Sequence, residues 1–439
     1  MTTTITKTDV AIIGGGISGT ALLYLLARYT DLEQITLLEK CDSIAALNSN
    51  ATHNSQTLHC GDIETNYTLT KATEVQASAN MVVRYVAQLA NNNILYKFPK
   101  MVLGVGEIEC EKIRQRYTQF KPQFPNVSLF EAQDIARIEP NVMLGRKEPV
   151  VGMGVENEFT AVNFRTLANS FVEQAGEIKG KKMDIRLGTR VKTIRETDSG
   201  FKIATDKGDL EARFVVVSAG GHSLLFAQQM GYGMNYSCLP MAGSFYFAPN
   251  MLNGKVYTVQ NDKLPFAAIH GDPDVVVAGK TRFGPTALIL PMLERYNLSS
   301  VPDFFKVLHL DRSVLKVFWD LFKVPDIRNY IIKNTLFEVP VIRRRLFLKD
   351  ARKIVPSMKL SDLTFARKVG GIRPVMIDKE KCVLHLGEAK INPGNGIIFN
   401  MTPSPGATSC LGNAMKDVET IARVLGCKYN HEQLEKDLR

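Results

Sequence analysis

The stretch NSQTLHCGDIETNYT, Asn54 to Thr68, carries amide, hydroxyl, imidazole, thiol and carboxylate groups within fifteen residues. It has little apolar periodicity, which makes it poor material for a core element and leaves its polar groups free to face a ligand. Histidine is the side chain suited to taking a proton near neutral pH, and the chain has seven. Arginine's planar fork grips carboxylates bidentately. Arg282 in GKTRFGPTA and Arg373 in GGIRP both lie beside glycines, although arginines in such settings are usually surface ion-pair residues.

Groups of this kind need rigid elements to hold them. TDVAIIGGGISGTALLYLLARY reads as a buried strand, a glycine turn and a helix. Gly14, Gly16 and Gly19 form G-x-G-x-x-G, which permits the tight turn, the approach of backbone to a pyrophosphate and close helix–strand packing. The helix N-terminus offers N–H groups and a positive dipole end to phosphates. A second apolar strand, ITLLEK, then ends in Glu39, about 20 residues beyond the last glycine, where a carboxylate can bond ribose hydroxyls. An acid there disfavours a 2′-phosphate, so the ligand is FAD or NAD rather than NADP.

The chain beyond Lys40 selects between the two. A compact NAD domain would continue its strand–helix alternation, whereas here a polar loop and a long helical region intervene. The segment MDIRLGTRVKTIRETDSGFKIATDKGDLEARFVVVSAGG alternates like a β-meander and ends in small residues, Ser218 to Gly221, where backbone passes close to something. A nucleotide domain split in this way is typical of large FAD folds. SPGATS reads as a helix start with Pro405 in the first turn and a helix running to about Leu425, before Gly426. In a flavoprotein such a terminus would face the N1–C2=O edge of the ring, where negative charge develops.

At 439 residues the chain exceeds the usual limit of about 250–300 residues for one core. The expected architecture is α/β: a discontinuous Rossmann-like FAD-binding domain from 1–90, 146–221 and 366–430, and a second α+β substrate domain from 91–145 and 222–365 with a mostly antiparallel sheet. From Val301 to Asp350 the pattern is helical, aromatic and basic. Seven scattered cysteines without a C-x-x-C pair argue against a disulfide framework or a zinc site and fit a reducing, cytoplasmic setting. The first residues lack signal-peptide regions, and no stretch reaches the roughly 18 apolar residues of a spanning helix. The formal charge of +10 attracts polyanions, but no nucleic-acid recognition motif accompanies it, so no nucleic acid is expected as a partner.

The residues GGGISGT with Glu39, the pattern N-x-x-T-x-H…E-x-NYT (Asn54, Thr57, His59, Glu64, Asn66, Tyr67, Thr68), GGIRP and SPGAT together resemble the malate:quinone oxidoreductases, within the glycine-oxidase and D-amino-acid-oxidase type of FAD fold. The likeness spans nearly the whole chain, and its NYT segment is the most family-specific part. There are departures: Ser55, Gln56 and Leu58 replace glycines usual in that family. The stretch PFAAIHGDPDVVVAGKTRFGPTALILPMLERY is similar instead to L-2-hydroxyglutarate dehydrogenase, whose substrate is also a 2-hydroxy diacid.

The resemblance implies oxidation of (S)-malate to oxaloacetate by hydride transfer to N5 of FAD, with electrons passed to a membrane quinone. The alternatives are an L-2-hydroxyglutarate dehydrogenase or oxidase and a non-catalytic FAD-fold binding protein. It implies His270 as base and His59 as a flavin or substrate contact, with His222, His309 and His431 structural or exposed. Arg282 and Arg373 become the anchors of the diacid, Lys280 a weaker third, and Asn66 a further substrate contact. The implied cofactor residues are Gly14, Gly16, Ser18, Gly19, Glu39, Lys40, Asn54, Ser55, Thr57, Val191, Ala219, Gly220, Gly371, Pro405, Gly406, Ala407 and Thr408. It also implies peripheral association with the inner, anionic face of the cytoplasmic membrane. The aromatic and basic residues of 301–350 are the expected docking surface, with Arg343, Arg344, Arg345, Lys349, Arg352 and Lys353 clustered beside Leu346 and Phe347; the competing expectation is that Phe304, Phe305, Leu308, Val317, Phe318 and Leu321 form the core face of helices in the second domain.

Overall fold

A computed structural model describes residues 6–90, 93–260, 268–385, 388–402 and 405–439. Ser404 of SPGATS and 265–267, the start of PFAAIHGDPD, lie outside these.

The strand Thr6–Ile13, wholly apolar and buried from Val10 onward, is the centre of the first sheet. It pairs in parallel with Leu210–Val217 on one side and Gln34–Leu38 on the other. Ile397–Met401 and Lys182–Arg186 extend the parallel run outward, and Ala389–Ile391 closes one edge antiparallel. Strands buried on both faces need covering on both. Helices Ile17–Tyr29, Leu69–Ala87, Phe164–Gly176 and Cys410–Leu425 contribute to one continuous core, in which Tyr24, Tyr85 and Phe171 pack ring against ring. The meander Val191–Thr197 and Gly200–Thr205 leads antiparallel into Leu210–Val217.

The second sheet has eight strands in the order Thr364–Phe365, Tyr246–Pro249, Lys280–Gly284, His270–Pro273, Lys255–Thr258, Lys100–Val105, Val150–Val155, Ser128–Phe130. It is antiparallel except where Lys255–Thr258 meets Lys100–Val105. A third sheet sets Leu288–Ile289, Tyr236–Ala242, Ile372–Asp378 and Val383–His385 side by side, all antiparallel. The architecture is the expected α/β type with a mostly antiparallel second sheet.

Two expected boundaries differ. Val150–Val155 joins the second sheet, where Gly154 lies so close to Lys100 that a Cβ would come within 1.9 Å of its carbonyl oxygen. Ile372–Asp378, expected in the nucleotide half, pairs along its length with Tyr236–Ala242. GGIRP therefore stands where the two halves meet.

The expected docking cluster is also different in kind. Phe347 is fully buried and stacks on Tyr246 at 4.0 Å, and Leu346 packs against the same core. Arg343 lies 3.9 Å from the Phe365 ring, Arg344 donates to the Leu360 carbonyl at 2.6 Å, and Lys353 pairs with Glu109 at 2.6 Å. The helix Arg343–Ile354 is thus a packed element of the second domain, its apolar side chains spent on the core.

Candidate active site

The glycine turn after Thr6–Ile13 is shaped by near contacts. A Cβ on Gly14 would meet the Ser218 carbonyl oxygen at 2.4 Å, and one on Gly19 would meet the Gly14 carbonyl oxygen at 2.0 Å. Only glycine lets the helix Ile17–Tyr29 start this close to the strand ends. Its first turn carries no acid, and Ser49 Oγ accepts from the Ile17 N–H at 2.9 Å. Glu39 is buried and accepts the N–H groups of Gly15 at 2.7 Å and Cys41 at 2.8 Å, leaving further lone pairs for hydroxyl groups.

These elements wall a cavity of about 1490 Å³, counting its open mouth, which runs from Glu39 past Gly14, Gly16 and Ser18 to Gly371, Thr402 and Ala407. Lys40, Val191, Ala219 and Gly220 line it as well. Lys40 is ion-paired with Glu294. Gly19 acts through helix packing, not at the wall. The helix beyond SPGATS starts at Cys410, later than expected, and ends as expected before left-handed Gly426. Residues 405–409 form turns in which the Thr408 and Ser409 N–H groups donate to the Pro405 carbonyl. Pro405, Ala407 and Thr408 reach cavity walls, and Gly406 does not.

A second cavity, about 1010 Å³ with its mouth, shares Asn48, His53, Gly371, Thr402 and Ala407 with the first. Its polar wall is the loop that begins at Asn54: Asn54, Ser55, Thr57 and His59. That loop is held by side chains because it has almost no ladder of its own. Arg116, stacked 3.6 Å from the Phe120 ring, donates to the carbonyls of Glu64 and Tyr67 at 2.5 and 2.6 Å. Buried Lys100 pairs with Asp62 at 2.7 Å. His59 Nδ1 meets Glu64 Oε1 at 2.8 Å, and the His59 N–H donates to Thr408 Oγ1 at 3.1 Å. Burial pushes the Glu64 carboxyl up, but the hydrogen bond and charge of His59, together with Lys100, outweigh it and hold it at about 2.

Arg373 enters this cavity from the third sheet. Gly371 before it is pressed against the loop, since a Cβ there would meet the His53 carbonyl oxygen at 2.5 Å and Asn48 Oδ1 at 2.8 Å. Asn48 Oδ1 accepts the Ile372 N–H at 3.0 Å and locks the two segments together. Burial lowers the Arg373 guanidinium from its usual value, against the pull of the Tyr330, Tyr67 and Tyr257 hydroxyls. Among the described residues no carboxylate pairs with it.

Besides Gly19 and Gly406, four expected catalytic and substrate-binding residues are not at either wall. Asn66 and Lys280 are exposed. Arg282 is fully buried behind the loop, donating to the Asn54 carbonyl at 3.0 Å and to Asp272 Oδ2 at 3.1 Å, with Asp274 at 3.6 Å. Its fork is consumed inside the protein, so it cannot also grip a substrate. His270 is buried beside it, Nδ1 at 2.6 Å from Asp272 Oδ1 and its ring stacked on Tyr257 at 4.5 Å. Burial lowers the His270 imidazole to about 4, with Lys255 and Arg282 adding to that effect and Asp272 opposing it. A neutral imidazole enclosed in this way is a structural group and a poor base.

This placement has a pH signature. His270 is held at about 4 when folded, below the ordinary ~6.5 of an exposed imidazole. On acidification the unfolded chain therefore takes up the proton first. The contribution to stability is complete above about pH 6.5 and is lost as the pH falls toward about 4. The melting temperature of the wild type should fall more steeply over that interval than that of His270→Gln. Parallel curves would show that His270 does not titrate with unfolding.

Sequence reasoning assigned no role to Asn48, His53, Thr402 or Glu64. The first three are ordinary polar residues whose role arises from distant segments meeting. Glu64 stands five residues after His59 in a loop, where no periodicity announces contact.

The fold and these adjoining cavities are those of an FAD-dependent oxidoreductase. The chain has the fold of glycine oxidase from Geobacillus kaustophilus (TM-score 0.66, 17% identity, 95% of each chain) and of FAD-bound L-α-glycerophosphate oxidase from Mycoplasma pneumoniae (0.65, 18%, 94% of each). The family model "Malate:quinone oxidoreductase (Mqo)" matches residues 6–439, and the chain belongs to that family. It is 50% identical over 442 residues to a probable malate:quinone oxidoreductase of Campylobacter jejuni, covering 98% of both chains. It is 46% identical over 439 residues to malate:quinone oxidoreductase of Helicobacter pylori, covering 98% of this chain and 97% of that one.

Proposed function

We propose that this protein oxidises (S)-malate to oxaloacetate with FAD and passes the electrons to a quinone at the inner face of the cytoplasmic membrane. The observation that carries the reading is a half-buried arginine without a carboxylate among the described residues, lining the same cavity as a histidine–glutamate pair, and that cavity shares a wall with a dinucleotide site.

The wall fits FAD. Glu39 keeps lone pairs for ribose hydroxyls, and Gly14, Gly16 and Ser18 bring the start of the helix Ile17–Tyr29 to the pyrophosphate. Gly371, Thr402 and Ala407, common to both cavities, would hold the flavin ring between them. When bound, FAD supplies the acceptor for the hydride leaving C2 of the substrate.

The chain's own residues do the rest. Arg373 takes one carboxylate in its fork and so fixes C2. His59 accepts the hydroxyl proton while Glu64 orients its ring through Nδ1, leaving Nε2 for the substrate. The Thr286 hydroxyl, which accepts from the Ser244 N–H at 2.9 Å, keeps its own hydrogen for the second carboxylate, while the Asn54 amide and the Thr57 hydroxyl hold the loop in place. Met241, Phe245 and Ile372 complete an apolar wall that keeps water from the reacting carbon. Arg282 and Lys255 act from behind, toward the carbonyls of Asn54 and Ser55.

Among the described residues no helix is long and apolar enough to cross a membrane, which fits peripheral attachment. Anaerobic mixing of the purified yellow protein with L-malate, L-2-hydroxyglutarate and L-lactate tests the reading. Malate should bleach the flavin band fastest. Bleaching by L-2-hydroxyglutarate with none by malate would reassign the substrate, and bleaching by neither would remove the enzymatic reading.

A further inference from the structure

We propose that the helix Arg312–Lys323 docks the protein on an anionic bilayer, with Leu315, Trp319 and Phe322 entering the lipid interface. This rests on the reading that the electron acceptor is a quinone dissolved in that bilayer.

The helix satisfies its packing with one face. Val314 and Val317 are buried in the core of the second domain, and Phe318 and Leu321 pack partly against it. At 3.6 residues per turn, Leu315, Trp319 and Phe322 form a separate stripe turned roughly 110° from that face. They are 53%, 71% and 43% exposed, and Phe305 and Leu310, just before the helix, are each 60% exposed. Single exposed apolar residues are ordinary, but three large ones on one stripe of one helix form a patch that marks a contact, and Phe305 and Leu310 precede it closely along the chain.

Charge identifies the partner. Arg312, Lys316 and Lys323 border the stripe on the side away from the core. The helix has one acid, Asp320, already paired with Lys323 at 2.6 Å. From 301 to 354 the chain has twelve lysines and arginines against six acids, more than half of its net charge of +10. An apolar stripe with a cationic border matches the acyl boundary and the anionic headgroups above it. A second copy meeting this face would bring like charges together. Trp319, the only tryptophan of the chain, has the amphipathic ring favoured at headgroup depth.

Because Trp319 is unique, its emission reports this surface alone. Holoenzyme is mixed at low ionic strength with vesicles of phosphatidylcholine, with and without phosphatidylglycerol, and followed by flotation and by quenching with brominated lipid. The protein should float with the anionic vesicles, with Trp319 emission shifted to the blue and quenched. The variant Leu315→Ser/Trp319→Ser/Phe322→Ser should bind them more than about tenfold more weakly. Arg312→Glu/Lys316→Glu should lose binding in the same direction. Both should keep wild-type FAD content and malate oxidation with a water-soluble dye.

Unshifted emission in floated protein, or a triple variant that floats like the wild type, would overturn the proposal. A stable dimer dissolved by the triple substitution would assign the face to a second copy. Absence of dye reduction by malate in the wild type would count against the function and leave the vesicle result standing.

Discussion

Arg373→Met is expected to lower kcat/KM for malate by about 1.5 to 3.5 orders of magnitude, on the basis of about 2–5 kcal/mol for a buried charge pair losing one member and about 1.4 kcal/mol per tenfold. Most of the loss should fall on KM, with FAD content unchanged. In the wild type the half-buried guanidinium has already lost part of its water and has no carboxylate among the described residues, so part of the desolvation cost is met before substrate arrives. An incoming carboxylate completes the pair. In the variant it would be buried against a thioether. Arg373→Lys keeps the charge but loses the planar fork, so its loss should be intermediate.

The same physics predicts a second readout. An unpaired cation that has lost part of its water costs stability, so Arg373→Met should melt no lower than the wild type, while malate should raise the melting temperature of the wild type only. Steady-state kinetics with a soluble dye and melting curves with and without malate provide the test. A variant within a fewfold of wild-type kcat/KM would dismiss Arg373 as the anchor.

The contrast with Arg282 shows what a sequence does and does not disclose. Gly14, Gly16, Gly19 and Glu39 were legible because backbone geometry within one strand–turn–helix unit dictates the residue types. The polar wall Asn54 to His59 was legible because its composition rules out a core. Arg282 and Arg373 look alike along the chain, each beside glycines. What separates them is register: Asp272 stands directly across the strand pair from Arg282, while Met241 stands across from Arg373. Pairing of distant strands is written in no local pattern. The same holds for Val150–Val155, an apolar run that either sheet could have taken. Asn66 failed for a simpler reason. It adjoins Tyr67, whose ring is half-buried, but the turn directs the amide outward.

His59→Ala should lower kcat by about 10²- to 10⁴-fold, the ordinary contribution of a positioned base. Glu64→Gln should lower it less, about 10- to 100-fold, because Glu64 is a positioning residue that fixes which ring nitrogen faces the substrate. With its carboxyl held at about 2 it is ionised wherever the enzyme works, so the amide removes a charge that is always present. A merely structural role would affect folding, FAD content and KM together. The expected pattern is a fall in kcat at nearly constant KM and FAD content, with partial rescue of His59→Ala by added imidazole. The double variant decides the matter. If Glu64 acts only through His59, His59→Ala/Glu64→Gln should be no slower than His59→Ala alone, since removing the orienter costs nothing once the base is gone. Multiplicative losses would show that Glu64 has a separate task, and wild-type kcat in His59→Ala would leave the cavity without its base.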